Sequence, residues 1–227
     1  MSRDYHYGLK GMILLIRKMS KPVVVLLAVL IAAYAVIQYG FFRPQDAGLV
    51  SLKLSTPGFQ LEPWKYALYS HIGTAVVAML IGPVQLFWKP VGMRRLRLHR
   101  LLGYTYVLTI TLSGLVSLYL AMHTLGGWKA GLGFLVLDLL WMVTTWISVR
   151  SILVNNVRAH KEWMLRSYAL TFAAVTLRLW LPVLVLFFRG DFVSAYQLVA
   201  WVCWVPNLLL MEMVIRVRKK AAVKTIM

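Results

Sequence analysis

The chain has 227 residues, of which 60% are hydrophobic and 14% are charged, and its mean hydropathy is +0.72. Soluble domains carry about 25% charged residues, so this composition excludes an ordinary soluble fold and indicates a polytopic membrane protein. A formal charge of +18 would suggest a nucleic-acid partner in a soluble protein, but the positions of the cations, described below, argue against one here.

The first 21 residues form a basic segment with short apolar stretches. We predict that this segment lies on the inner membrane surface as an amphipathic helix, with His6 at the surface. No small-residue cleavage site follows the first apolar run, so we expect no cleavable signal.

Six apolar runs follow, each long enough to cross a bilayer as a helix of roughly 20 residues. Helix is required because lipid offers no partners to free backbone groups. The sequence therefore predicts an all-α fold with a six-helix transmembrane domain over 22–215 and a basic tail over 216–227. The proline-rich stretch 43–66 is expected to be irregular and to cap the outer face. The predicted spans are 22–42, 67–88, 101–122, 130–150, 164–187 and 194–215.

The cations predict the orientation of the bundle. Of 25 Lys and Arg residues, 19 fall on the side that carries both termini, five fall on the other side, and Arg178 lies within a span. Cytoplasmic loops are enriched in cations, so both termini are predicted to be cytoplasmic, and the high charge reflects topology and anionic lipid. The inner cations lie in 3–21, 89–100, 150–166 and 216–224.

Two ionisable residues lie at membrane depth, where they are costly and therefore functional candidates. Asp138 is about 12 Å from the outer start of its span and Arg178 is about 13–14 Å from the outer end of its own. The matching depths predict a buried Asp138–Arg178 ion pair, which could serve only to hold two helices together. A free face of Arg178 could instead bind a carboxylate, a propionate or a quinone oxygen.

Three histidines share helical stripes with other polar residues, at 100° per residue. His160 lies on one face with Ser167, Thr171 and Arg178, and His99 shares a face with Ser117 and, approximately, Tyr106. His71 and Gln85 likewise lie near one face of their helix. Such stripes are expected to face the bundle interior.

His99 and His160 are both predicted at the inner mouths of helices, where the helix dipole disfavours imidazolium. Neutral imidazole is the form that binds a metal or haem iron. The sequence therefore predicts a site for a b-type haem, or alternatively for zinc or another transition metal, on these two histidines. Gln85, Glu162 and Glu212 are candidate further ligands. The alternative is that both histidines are interfacial and merely accompany the topological cations.

Three blocks, "HIGTAVVAMLIGPVQLF", "LHRLLGYTY" and "HKEWMLRSYALTFAAVTLR", resemble the signature blocks of DUF2306, an uncharacterised family of bacterial membrane proteins. The resemblance covers roughly 67–187 and implies a location in the bacterial cytoplasmic membrane. It gives no activity. The chain also loosely resembles the haem-binding bundles of the cytochrome b561 type, although its inner histidines lie at helix mouths. The motif positions that the DUF2306 resemblance implies are His71, Gln85, His99, Arg100, Gly103, Tyr104, His160, Trp163, Arg166 and Arg178.

Together these features favour a redox protein that binds a cofactor and acts with a membrane quinone. His71, His99 and His160 would hold haem or a metal, while Arg166 or Arg178 would anchor propionates or a quinone head; Gln85 and Tyr104 complete the candidate cofactor-binding set. One alternative is a metal-dependent enzyme acting on a lipid. Another is a small transporter or assembly factor without a cofactor. The sequence leaves a homo-oligomer open.

Overall fold

The computed structural model describes residues 2–43, 48–56, 59, 61–88 and 90–226, and for 2–20, 49 and 222–226 it describes the backbone alone. Every regular element in these residues is an α-helix. The helices are α1 (Ser2–Gly40), α2 (Gly48–Leu54), α3 (Leu61–Phe87), α4 (Met93–Met122), α5 (Gly127–Leu153), α6 (Val157–Thr171), α7 (Ala173–Phe187), α8 (Phe192–Val202) and α9 (Val205–Ile226).

Six stretches of the described chain are long and apolar enough to cross a membrane, which confirms the predicted all-α, multi-pass bundle. The fifth stretch is built from α6 and α7, and the sixth from α8 and α9. The orientation of the termini stays a prediction. The six stretches are Lys21–Gly40, Leu61–Phe87, Met93–Met122, Gly127–Leu153, Val157–Phe187 and Phe192–Ala221.

The helices begin earlier than the apolar runs predict. Helix α4 begins at Met93, eight residues before the predicted start at residue 101, because Arg and Leu favour helix although Arg lowers the local hydropathy. His99 therefore lies in the second turn of α4 and not at its mouth. The segment 1–21 is likewise continuous with the first span, since α1 runs from Ser2 to Gly40; the side chain of His6 lies outside the described residues.

Helices adjacent in sequence pack as neighbours, with α3 against α4, α4 against α5 and α5 against α6. Helix α1 packs against α3 and α7, where Ala28 and Ala32 meet Met79 and Val175. Small residues at this interface let the backbones approach closely, as in other membrane bundles. We call the end of the bundle near α2 the α2 end, and the opposite end, where α3 ends and α4 begins, the basic end.

The motif "IGP" in α3 makes room for a tyrosine of α6. A Cβ atom on Gly82 would overlap the ring of Tyr168. Pro83 has no N–H, which leaves the carbonyl of Met79 without its helical donor, and the Tyr168 hydroxyl donates to that oxygen at 3.4 Å. Helix α6 therefore approaches α3 closely at this motif.

The last two spans are interrupted at facing positions, Phe172 and Cys203–Trp204. Pro206 cannot donate a helical hydrogen bond, and the carbonyls near the interruptions find side-chain donors. Asn207 Nδ2 donates to the carbonyls of Ala169 at 3.3 Å and Cys203 at 3.0 Å, and the Thr176 hydroxyl also donates to the Cys203 carbonyl. These bonds connect α6, α7 and α9 at mid-span.

Candidate functional site

A cavity of about 520 Å³ lies inside the bundle at the α2 end. Helices α1 to α8 all contribute to its wall. The wall is mostly apolar and aromatic, but it also carries side chains that can bind polar atoms. The aromatic residues are Tyr34, Tyr39, Trp64, Phe134, Trp141, Phe192 and Tyr196.

Helix α2 forms part of the cavity wall through Gly48, Leu52 and Lys53. The loop that contains it was expected to be irregular, and the helix over Gly48–Leu54 corrects that expectation. Val50 packs with Trp64 in a small apolar cluster, and Trp64 contacts the Phe59 ring edge-on at 5.3 Å between centroids. Leu52 and Lys53 of α2 line the cavity.

His71 of α3 presents its imidazole to the cavity between two serines of α4. Its Nδ1 lies 2.9 Å from Ser113 Oγ and 2.6 Å from Ser117 Oγ. A serine hydroxyl can donate or accept, so the pair supports a proton on either ring nitrogen of a neutral imidazole. Nε2 can therefore offer a ligand either a proton or a lone pair.

Asp138 of α5 is buried on the same wall, close to the Ser117 hydroxyl. Ser117 thus stands between the imidazole of His71 and the carboxyl group of Asp138. The three side chains come from three helices, α3, α4 and α5, so the bundle must fold before the group exists.

Arg178 of α7 also lines the cavity, but it does not pair with Asp138. The five ion pairs among the described residues do not include these two. Arg178 Nη1 donates to the Ala174 carbonyl at 2.8 Å, and the guanidinium lies 5.7 Å from the centroid of the Tyr34 ring. The predicted depths bring both residues to one cavity, but the predicted direct ion pair does not form, because Arg178 turns back along α7 toward α1.

Lys53 is a second cation without an acidic partner in the described part of the cavity. Its side chain is buried, with the residue only 7% exposed, and its Nζ lies 5.1 Å from the centroid of the Phe59 ring. Burial lowers the pKa of Lys53, because desolvation disfavours the charged form. Sequence reasoning missed this residue, since a lysine in a loop gives no signal of burial.

A network of hydrogen bonds forms the floor of the cavity. Tyr106 Oη lies 3.0 Å from Ser167 Oγ and 2.9 Å from Thr171 Oγ1. Trp141 Nε1 donates to the same Thr171 oxygen at 2.8 Å. Thr145 Oγ1 lies 2.7 Å from Ser167 Oγ. All five residues are buried. The expectation that Tyr106, Ser167 and Thr171 face the interior is confirmed, and the network holds α4, α5 and α6 together.

His99 and His160 lie at the basic end, close enough to interact electrostatically. Gln85 Nε2 donates to the His99 carbonyl at 2.8 Å, and His160 Nδ1 lies 2.9 Å from Ser148 Oγ. The buried Gln85 Oε1 has no hydrogen-bond partner among the described residues. None of Gln85, His99 and His160 lines the cavity at the α2 end, and a shared ligand site on them stays a prediction.

The two carboxylates considered as further metal ligands form ion pairs with arginine and lysine side chains. Glu212 accepts from Arg166 Nη2 at 2.7 Å and Nε at 2.9 Å, and Glu162 pairs with Lys219 at 2.8 Å and Arg158 at 3.5 Å. Among the described residues, no group of three or more His, Cys, Asp or Glu could hold a metal ion.

The predicted cofactor residues thus separate into two groups. His71 and Arg178 lie at the cavity, whereas His99, His160, Gln85 and Arg166 lie at the basic end. His160 and Arg178 are 18 residues apart in one span, which is about 27 Å of helix. Tyr104 belongs to neither group, because it is 73% exposed on the outer surface of α4.

The fold and the cavity define a class: a multi-pass helical membrane protein with an internal, partly polar cavity. Within that class the chain belongs to the family described as "Predicted membrane protein (DUF2306)", whose sequence profile matches residues 68–215. The match extends beyond the 67–187 region that carries the resemblance of the three blocks. No curated protein and no solved structure matches the chain.

Proposed function

We propose that the protein binds the head group of a membrane quinone in the cavity at the α2 end and exchanges protons with it. The observation that carries the proposal is the convergence of His71, Asp138 and Arg178 on one aromatic-walled cavity of about 520 Å³. Small-molecule sites are commonly apolar cavities with a few converging polar groups. A quinone ring has this character, with apolar faces and two carbonyl oxygens that accept hydrogen bonds.

Arg178 and His71 are suited to bind the carbonyl oxygens. The guanidinium carries five N–H donors, and its hydrogen bond to Ala174 uses one of its nitrogens. His71 turns Nδ1 to the serines, which leaves Nε2 for a ligand. These two donors come from α7 and α3, so they would hold the quinone head between the helices.

His71 and Asp138 are the proton-exchanging groups. Reduction of a quinone to a quinol consumes two electrons and two protons. The protons pass through the His71 imidazole and the Asp138 carboxyl group, which share Ser117 as a neighbour. The electrons come from a one-electron carrier protein at the membrane surface.

A cofactor at His99 and His160 stays a prediction. Haem iron takes one axial ligand on each face of the ring, and the described cavity offers His71 but neither His99 nor His160 on its wall. Zinc commonly takes at least three protein ligands, and the candidate carboxylates are occupied by cations. A reduced-minus-oxidised visible spectrum tests directly for haem, and metal analysis of the same purified sample tests for zinc. His99→Ala and His160→Ala should each remove any cofactor found.

The test of quinone binding is a titration of the detergent-purified, full-length protein with a short-chain quinone. Trp64 and Trp141 line the cavity, so binding should quench part of the tryptophan fluorescence and saturate. Arg178→Gln removes a charged donor, whose hydrogen bond contributes about 1.5–3 kcal/mol, and should weaken binding roughly tenfold or more. Lys129→Gln is the matched control, because Lys129 is exposed and does not line the cavity. Equal affinity in all three proteins would refute the proposal.

A second candidate function is supported by the two cations, Lys53 and Arg178, that have no acidic ion-pair partner in the described part of the chain. Lys53 is buried and Arg178 is half-buried. Removing an unpaired cation from water is costly, and a bound carboxylate would offset that cost. The protein would then carry an acidic, lipid-soluble molecule. The same titration with a fatty acid separates the two candidates, since Lys53→Gln should weaken fatty-acid binding much more than quinone binding.

A further inference from the structure

A second, separate groove runs along the lipid-facing surface between α1 and α3, next to the basic end. Its volume is about 450 Å³, and every residue that lines it is apolar or aromatic, including Val25, Val29, Leu80, Val84, Phe87 and Trp88. Leu80 and Trp88 are eight residues apart, so the groove extends for about 12 Å along α3. Its length and apolar lining suit a lipid acyl chain.

Two cations stand at the basic end of this groove. Lys21 Nζ lies 5.8 Å from the centroid of the Phe87 ring, and Arg95 Cζ lies 5.8 Å from the centroid of the Trp88 ring. Both rings line the groove, so each cation is positioned over its wall. The cations come from α1 and α4, and the groove lies between them along α3.

Neither cation has an ion-pair partner in the described part of the chain. Glu162 and Glu212 are the two acids at the basic end whose side chains the structure describes, and both are paired with other cations. The positive charge at the end of the groove is therefore not neutralised by these residues. A ligand with a negative head and an apolar tail would complement both parts.

We propose that this groove is a specific site for an anionic phospholipid, with one acyl chain between α1 and α3 and the phosphate between Lys21 and Arg95. Lys and Arg bind phosphate through charge-assisted hydrogen bonds, and basic pockets between transmembrane helices bind anionic lipid head groups. The site is on the outer surface of the bundle, so it does not depend on what occupies the cavity.

The test compares lipid binding by native mass spectrometry of the detergent-purified, full-length protein. The protein is titrated with phosphatidylglycerol and with phosphatidylcholine of the same chain length. Each cation near an anionic lipid surface contributes about 1 kcal/mol. The double variant Lys21→Gln/Arg95→Gln should therefore bind phosphatidylglycerol roughly thirtyfold more weakly. Its affinity for phosphatidylcholine should fall much less, because the choline cation offsets the charge of the phosphate.

The matched control is Arg150→Gln/Arg218→Gln, which removes the same charge from exposed residues that do not line the groove. It should retain the wild-type preference for phosphatidylglycerol. A second variant, Val84→Trp, keeps both cations but fills the groove, and it should also weaken phosphatidylglycerol binding.

Three results would overturn the proposal. One is an equal loss of binding in the control, which would indicate a nonspecific effect of net charge. Another is unchanged binding in Val84→Trp, which would show that the acyl chain does not occupy the groove. The third is competition by glycerol phosphate at the same concentration as the lipid, which would show that the site recognises the head group alone.

Discussion

Individual glycines have different roles within α3. A Cβ on Gly82 would overlap the Tyr168 ring, whereas a Cβ on Gly73 would have nothing within 4 Å. Gly82→Ala should therefore destabilise the protein by about 1–3 kcal/mol through overpacking. Gly73→Ala should be neutral or stabilising, because alanine favours helix more than glycine does. Thermal unfolding of the two variants in one detergent measures the difference, and equal midpoints would contradict the packing described at Gly82.

The ion pair between Arg166 and Glu212 joins α6 to α9 through two short contacts, and Arg166 is mostly buried, with 13% of its side chain exposed. Arg166→Gln and Glu212→Gln should each destabilise the protein by about 1–3 kcal/mol, and a double-mutant cycle should show positive coupling.

Arg216 supplies the control for this pair. It lies 3.8 Å from the same carboxylate with 74% of its side chain exposed, and exposed pairs contribute little. Arg216→Gln should change stability by less than about 0.5 kcal/mol. A loss as large as that of Arg166→Gln would contradict the distinction.

At the residue scale, sequence reasoning predicted which ionisable residues lie inside the membrane better than it predicted which side chains they contact. Apolar surroundings and helical depth predicted that Asp138 and Arg178 lie inside the membrane at one level, and the cavity contains both. The direct ion pair was not predicted correctly, because depth does not determine the direction in which a long side chain turns. Arg178 bends toward Ala174 and Tyr34, and the position of α1 beside α7 follows only from tertiary packing.

Helix α8 begins at a cap that responds to acid. The Asp191 carboxylate accepts from Ser194 Oγ at 2.6 Å and from the backbone N–H groups of Ser194 at 3.2 Å and Val193 at 3.0 Å. These hydrogen bonds, the Ser194 hydroxyl foremost, lower the pKa of Asp191. A lowered folded-state pKa means that the stabilisation is complete above the ordinary Asp pKa of about 3.9 and is lost as the pH falls through the lowered value.

Asp191→Asn should therefore be less stable than the wild type at pH 7, and the difference should close as the pH falls below about 4. Ser194→Ala should raise the pKa of Asp191 and move the loss of stability to higher pH. Unfolding midpoints measured from pH 7 to pH 3 provide the test. If the difference in unfolding midpoint between the wild type and Asp191→Asn stays constant with pH, a role for the charged cap is excluded.

At the element scale, hydropathy located all six spans but placed their ends less well. The start of α4 was missed because the apolar run begins only after the arginines, although arginine is a good helix former. The break at Phe172 was also missed, since no glycine or proline precedes it. Pro83 lies inside the continuous helix α3, where the Tyr168 hydroxyl donates to the Met79 carbonyl, and Pro206 follows the break at Cys203–Trp204 directly.

The whole molecule has an uneven charge distribution that predicts its orientation. Since 19 of its 25 cations lie on the side of both termini, a reporter fused after residue 227 should be cytoplasmic. A reporter inserted near residue 190, between α7 and α8, should be on the opposite side. Finding both reporters on one side would contradict the six-span arrangement.

Sequence reasoning predicted the bundle well at this scale because lipid leaves helix as the main solution for an apolar run. It predicted the site less well. The histidine stripes suggested one cofactor site, whereas the structure separates His71 from His99 and His160 because they lie at opposite ends of the bundle. Helices α1 and α2 both line the cavity. No periodic pattern in the sequence predicts the position of either helix against the rest of the bundle.

The most direct test of the proposed function is photo-crosslinking with an azido-quinone, followed by peptide mapping of the labelled full-length protein. Label should appear on the cavity segments of α3 and α7, around His71 and Arg178, and excess unlabelled quinone should compete it away. Label confined to the exposed face of α1, without competition, would show that quinone only partitions into the surrounding detergent and would contradict the account.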